Sequence, residues 1–251
     1  MSVLHRRPTD PDPIDALLQH RGLAPGRRWA LFDADNTLWH IEHLYDRARD
    51  RLCAHLAGQG FDPVSVEALQ RDIDRLAFDE LRYSEKRFPL SFVRTLLALK
   101  PDASEAEQAE VRSMAETALA APATNDLDAG EVLAAVKRSY LIGVVTAGED
   151  EIQKRRLRGF DGRSLIDAVW IVQRKTQSVF DGICEEVRAP RADSWVIGDS
   201  VQSDILPAHA AGLNTILVQN PNWSEIEGTG RVPPGTFVVS RLREIIQLIV
   251  G

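Results

Sequence analysis

Two carboxylates one residue apart, Asp33 and Asp35, close an apolar run that begins at Trp29. A short apolar run ended by polar turn chemistry reads as a buried parallel strand. Side chains two positions apart on an extended backbone share a face. Two like charges that close repel unless a cation or a proton sits between them. The pair therefore fits either a metal site or a site with one ionised and one protonated carboxyl. Farther along, Thr146-Ala147-Gly148 ends a second apolar run, Lys175 follows a third, and Gly198-Asp199-Ser200 ends a fourth, with Asp204 one helical turn on. Parallel strands deliver their carboxyl ends to one edge of a sheet, so these groups should converge.

A cluster of that kind suits phosphoryl chemistry. Oxygen-only ligands favour a hard cation, and Mg²⁺ is held by one or two carboxylates together with a phosphate. An ammonium and a hydroxyl opposite the metal would hold the remaining phosphate oxygens. One carboxylate can attack phosphorus to form an aspartyl-phosphate. A second carboxyl can protonate the leaving oxygen and later take a proton from water. For the first of those steps it must carry a proton, which calls for a pKa raised by the neighbouring charge and by partial burial.

The elements that must position these groups change grammar twice along the chain. Residues 1–27 are rich in Pro and Arg, with one short helical pattern near Ile14, and read as an N-terminal arm. From 40 to about 121 the reading is helical throughout. Ile41, Leu44, Ala48, Leu52 and Leu56 follow helical spacing, and Asp62-Pro63 is a helix start. Pro89 and Pro101 interrupt the pattern, and Ser104 with Glu107 matches a capping box. After Asn125 strands and helices alternate: strands at 140–146, 168–172, 194–197 and 214–218, an edge strand at 236–239, and helices at 128–139, 149–158, 174–187, 200–211 and 242–250. Alternation of this sort predicts an α/β fold: a Rossmann-like parallel sheet with helices on both faces. The helical stretch after the first strand is too long for one crossover and reads as an inserted subdomain.

Composition narrows the function classes. The chain has 251 residues, net charge −7 and no long basic run, which argues against nucleic acid as a partner. No apolar run reaches membrane-spanning length, and no apolar segment follows Arg6-Arg7 to make a secretory signal. Cys53 and Cys184 lack neighbours at metal-ligand spacing and read as reduced packing residues. The expected location is the cytoplasm.

These residues resemble the four motifs of the haloacid dehalogenase-like (HAD) superfamily. Asp33-Ala34-Asp35-Asn36-Thr37 is similar to its first motif, Thr146 to the second, Lys175 to the third, and Gly198-Asp199-Ser200 with Asp204 to the fourth. The resemblance runs from about residue 28 to 218 and implies a catalytic core at 28–39 and 124–251. Its C1-type α-helical cap would be residues 40–123. It implies roles position by position. Asp33 would be nucleophile and Mg²⁺ ligand. Asp35 would be general acid/base and a ligand through its backbone carbonyl. Asp199 would be the third ligand, with Asp204 supporting the metal or Lys175. Thr146 and the Ala147 backbone would bind phosphate, and Lys175 would neutralise the nucleophile and the transferring group. The superfamily's dehalogenases lack the second Asp, so Asp35 favours phosphoryl transfer. Asn36 stands where many relatives carry Gly, a departure expected to affect only the turn.

The function implied is a Mg²⁺-dependent phosphatase on a small phosphorylated metabolite. A phosphomutase or phosphotransferase, or a non-catalytic binding or regulatory module of the same fold, remains a competing reading. Trp39, His40 and the basic cluster Arg82, Lys86 and Arg87 are the candidate substrate contacts. His43 reads as a surface or packing residue.

Overall fold

The computed structural model describes residues 13–250 apart from 21 and 220–230. The Pro- and Arg-rich start of the arm, residues 1–12, lies outside the described residues.

The first strand, β1 (Trp29–Phe32), is buried at all four positions. Its side chains alternate between two cores, as a strand covered on both faces must. Ala30 and Phe32 join Ile142, Val144, Ile197 and Ile216. Trp29 and Leu31 join Val145, Trp170, Phe180 and Val196. The sheet contains β1, β4 (Leu141–Ala147), β5 (Ala168–Val172), β6 (Trp195–Gly198), β7 (Asn214–Val218) and β8 (Phe237–Val239), in the order β5-β4-β1-β6-β7-β8. All five pairings are parallel. The chain steps outward from β1 to β4 and β5, then returns to the other side of β1 as β6. That reversal opens a crevice at the carboxyl ends beside β1, where α/β sheets bind ligands.

Between β1 and β4 lie α2 (Glu42–Ala57), α3 (Pro63–Leu81), α4 (Arg87–Leu99) and α5 (Glu105–Ala120), which pack on one another. Asp62 caps α3 by accepting from the Ser65 backbone N–H at 2.9 Å, with Pro63 at the first helical position. The Ser104–Glu107 capping box opens α5. Pro89 does not itself interrupt the pattern. The break precedes it, at 82–86, and Pro89 sits in the first turn of α4, where a missing N–H removes no helical hydrogen bond. Inside the block, Arg49 donates to Gln70 at 2.9 Å and Gln70 to Ser91 at 2.9 Å, which fixes α2, α3 and α4 in register.

The two connections to this block pair with each other. β2 (Trp39–His40) and β3 (Thr124–Asn125) form an antiparallel ribbon, with Trp39 opposite Asn125 and His40 opposite Thr124. Two-residue strands carry no periodicity, so nothing in the sequence announces them.

The remaining helices are α1 (Pro13–Leu18), α6 (Ala129–Val136), α7 (Asp150–Gly159), α8 (Gln177–Val187), α9 (Leu206–Ala210) and α10 (Ile245–Ile249). Several are shorter than their patterns suggest. The helix expected from 174 starts at Gln177, because Thr176 caps it and leaves Lys175 in the preceding loop. The helix expected over 200–211 opens as a π-helical turn, Val201–Ile205, before α9. The one expected at 242–250 begins with a 3₁₀ turn at Leu242–Glu244. The end of the arm is docked: the ring nitrogens of His20 sit 2.6 Å from Glu186 and 2.7 Å from the Val169 carbonyl. Cys53 in α2 and Cys184 in α8 are free. Among the described residues no helix is long and apolar enough to cross a membrane.

The α5 cap gives a pH-dependent prediction. Hydrogen bonds from the Lys100 ammonium and from the Ser104 backbone N–H and hydroxyl hold the Glu107 carboxyl down at about 2, against an ordinary 4.5. A carboxylate depressed in the fold stabilises it above the unfolded value and loses that contribution as pH falls through the folded one. Urea midpoints of wild type and Glu107→Gln should therefore differ near neutral pH and converge as pH drops from 4.5 to about 2. A difference that stays constant over that range would show that the charge is not its source.

Candidate active site

Four of the sequence-predicted residues meet at the carboxyl edge of the sheet. Asp33 directly follows β1, and its backbone N–H extends the ladder to the Ile197 carbonyl at 2.8 Å. Lys175 follows β5, Asp199 follows β6, and Asp204 lies in the π-helical turn. The Lys175 ammonium donates to Asp33 Oδ1 and, at 2.6 Å, to Asp204 Oδ1. One carboxylate oxygen from each of Asp33, Asp199 and Asp204 lies within 4.8 Å of the others. All four side chains are buried.

One ammonium and three carboxylates share the cluster, and the ammonium bonds two of them. Burial alone would lower Lys175. The Asp204 and Asp33 carboxylates outweigh it and hold the amine above its ordinary range, so it stays charged. Burial pushes Asp33 up, Lys175 pulls it back, and the Asp204 charge pushes it up again, to about 7. The residual negative charge and the all-oxygen donor set fit a hard divalent cation.

Local backbone explains how Asp204 gets so close. Gly198 ends β6 directly beneath it, and a Cβ at 198 would overlap the Asp204 carboxyl group. Ser200 then caps the π-helical turn by accepting from Ser203, and its own N–H donates to Asp204 Oδ2 at 3.1 Å. Both Asp204 oxygens are thus engaged, one by Lys175 and one by the turn.

Two hydroxyls at this edge are buried without a partner: Oγ1 of Thr146, in β4, and Oγ1 of Thr37. Buried hydroxyls are ordinarily satisfied, so an unpartnered pair at the acidic edge of the sheet could receive the oxygens of a bound anion. Ala147 ends β4 next to Thr146. Thr37 belongs to the first motif, yet its hydroxyl went unnoticed in the sequence.

Asp35 is built into a different environment. Trp39 Nε1 donates to its Oδ1 at 2.6 Å. Gln153 Nε2 and Arg156 Nη1 donate to its Oδ2 at 2.8 and 2.6 Å. Three donors, one of them a guanidinium, therefore converge on the Asp35 carboxyl. Burial alone would lower Arg156, and the Asp35 carboxylate raises it above its ordinary value instead. Asn36, directly after Asp35, takes a left-handed φ of +64°, which Asn tolerates better than most residues. Its side chain locks the turn through Glu42 at 2.8 Å and the Ile41 N–H at 3.2 Å. Gln153 and Arg156 escaped the sequence reading because α7 looks like a charged surface helix. The available signal was their place beside Ile152 and Leu157 on its one buried stripe.

The candidate substrate contacts are not gathered at the cluster. Trp39 is fully buried against Phe160, 5.3 Å between ring centroids, and holds Asp35 instead of facing a ligand. His40 pairs with Asp126 at 2.9 Å beside the ribbon, and His43 faces the Thr124 hydroxyl at 3.2 Å. Arg87 is paired with Asp74 at 2.6 Å, because a buried carboxylate needs a cation. Arg82 pairs with Asp79 at 3.7 Å, and Lys86 is exposed at the start of α4. The loop that carries them does reach the core. Arg82 has a left-handed φ of +51°, and the Tyr83 hydroxyl meets Ser203 at 3.0 Å.

Residues 173–245 match the family model Hydrolase_like, described as HAD-hydrolase-like. No protein of curated function matches the sequence. Among solved structures, the chain is similar to a haloacid dehalogenase-like family hydrolase from Xanthomonas campestris, at 20% identity and TM-score 0.73, over 90% of this chain and 96% of that one. It is also similar to the magnesium-bound HAD-hydrolase YfnB from Bacillus subtilis, at 19% identity and TM-score 0.64, over 89% and 99%. A third is the L-2-haloacid dehalogenase from Xanthobacter autotrophicus with chloropropionic acid covalently bound, at 16% identity and TM-score 0.61, over 90% and 99%. At these identities the likeness establishes a shared fold, that of the HAD-like hydrolases.

The tight fit at Gly198 can be tested directly. Gly198→Ala should lower stability by about 1–3 kcal/mol in urea unfolding, the usual cost of an added methyl in a packed site, and should weaken Mg²⁺ binding measured by calorimetry. Unchanged stability and binding would mean that Asp204 moves aside freely.

Proposed function

We propose that this chain is a Mg²⁺-dependent phosphatase acting on a small phosphorylated metabolite through an aspartyl-phosphate. The observation that carries this reading is the pairing of a buried Asp33, bonded to Lys175 within a carboxylate cluster, with a second acid two residues on. The side chains of Asp33 and Asp199 and the Asp35 carbonyl would hold the cation, with Asp204 in support. Bound there, Mg²⁺ would offset the excess negative charge and draw electron density from the phosphoryl oxygens.

The rest falls to the chain itself. An Asp33 oxygen attacks phosphorus while the bond from phosphorus to the leaving oxygen breaks. Asp35 gives that oxygen a proton. Lys175 and the Thr146 hydroxyl, with the Ala147 backbone, bind the transferring phosphoryl group. Water then attacks the aspartyl-phosphate, Asp35 takes its proton, and phosphate leaves with Asp33 restored. The helical block, about residues 40–123, acts as a C1-type cap that closes the crevice and excludes water, and the Tyr83–Ser203 contact supports that role. The arm (1–27) and the core (28–39 and 124–251) complete the organisation. Two free cysteines fit a cytoplasmic enzyme.

Haloacid dehalogenases that share the fold make carbon–halogen hydrolysis the competing chemistry. Asp35 weighs against it, because a halide leaves without a proton.

Purified protein with Mg²⁺ should release inorganic phosphate from 4-nitrophenyl phosphate, and chelation should stop it. Asp33→Asn should lower kcat by about a thousandfold or more, as loss of a nucleophile does. Equal turnover by wild type and variant, or halide release from 2-chloropropionate in place of phosphate release, would overturn the reading.

A further inference from the structure

The catalytic cluster leaves a second buried constellation unassigned, on α7. Gln153 and Arg156 lie three apart on the helix, both buried, and both donate to Asp35 Oδ2. Gln153 also donates to the Ala147 carbonyl at 3.2 Å, which ties Asp35 to the end of β4. Tyr45, on α2 of the helical block, lies beside Arg156 and acts on its charge. Its side chain is 4% exposed, and its Nε has no partner. A buried guanidinium is costly, and one left partly unsatisfied is costlier. A helix that served only to cover the sheet would carry apolar residues at both positions.

The arrangement has a geometric consequence for Asp35. A carboxylate has about four lone-pair sites. Trp39, Gln153 and Arg156 fill three of them, so about one direction stays open for a reacting proton. Donors from β2 and from α7 approach from different elements and fix the side chain about every rotatable bond. We infer that Arg156, assisted by Gln153, is a positioning residue that aims Asp35 at the leaving-group oxygen. The assignment rests on the phosphatase reading and deepens it. Arg156 touches neither substrate nor cation. It acts through Asp35.

Leaving groups distinguish this role from a merely structural one. 4-Nitrophenolate departs without a proton, whereas an alkoxide needs one. For both esters kcat/KM reports the step up to formation of the aspartyl-phosphate, where Asp35 works as an acid. The ratio of kcat/KM for 4-nitrophenyl phosphate to that for propyl phosphate, measured on one preparation, is independent of the folded fraction. In Arg156→Met this ratio should rise by about tenfold or more, part of the roughly hundredfold to ten-thousandfold that a positioned proton donor supplies. Arg156→Lys should return it part of the way, and Gln153→Met should raise it by less than Arg156→Met. Equal losses on the two esters in both Met variants, or no loss at all, would overturn the assignment while leaving the phosphatase reading intact. Wild type that releases phosphate from neither ester would remove both.

Discussion

One buried ionic cluster governs the carboxyl edge of the sheet. Lys175 sets its ammonium among three buried carboxylates and pairs with two of them, Asp33 and Asp204, with Asp199 beside them. Taking such charges out of water is unfavourable unless they are held against partners. The backbone around them does that holding. Asp33 leaves a strand buried on both faces, and Asp204 is wedged over Gly198 and tied to the Ser200 N–H. The parallel order of the sheet does the gathering. Residues separated by well over a hundred positions arrive at one edge because β1, β5 and β6 all end there.

The two acids of the first motif are placed in opposite circumstances. Burial pushes the Asp33 carboxyl up, Lys175 pulls it back and Asp204 pushes it up again, to about 7. Asp35, two residues on, is supplied with donors by Trp39, Gln153 and Arg156. Asn36, at φ +64°, turns the chain directly after Asp35. The side chain of Asn36 then fastens that turn to Glu42 and Ile41, at the start of α2.

The alternation after Asn125 was legible because each strand is a short apolar run and each helix an amphipathic one, and the sheet follows. The helix starts at Asp62 and Ser104 were legible because capping is local chemistry. The cluster was legible because Asp, Lys and Gly at strand ends have few structural reasons to recur together. What escaped is tertiary. Arg156 looks like any surface arginine until its helix is seen to face Asp35. Trp39 and His40 follow Asp33 closely enough to suggest substrate contact, but they lie in a two-residue strand too short to have a period, and they are turned to Asp35 and Asp126. Arg87 belongs to the interior of the helical block because Asp74 is there. No sequence spacing couples residues on different helices.

The β2–β3 ribbon ties the entrance and exit of the four-helix block side by side, His40 against Thr124. Chain length between these two points is therefore uncoupled from the geometry of the sheet. Helices could be added, lost or traded within the insert while β1 and β4 kept their pairing and the acids at their ends kept their positions. An architecture wired in this way lets the inserted block vary while the acidic edge of the sheet stays fixed.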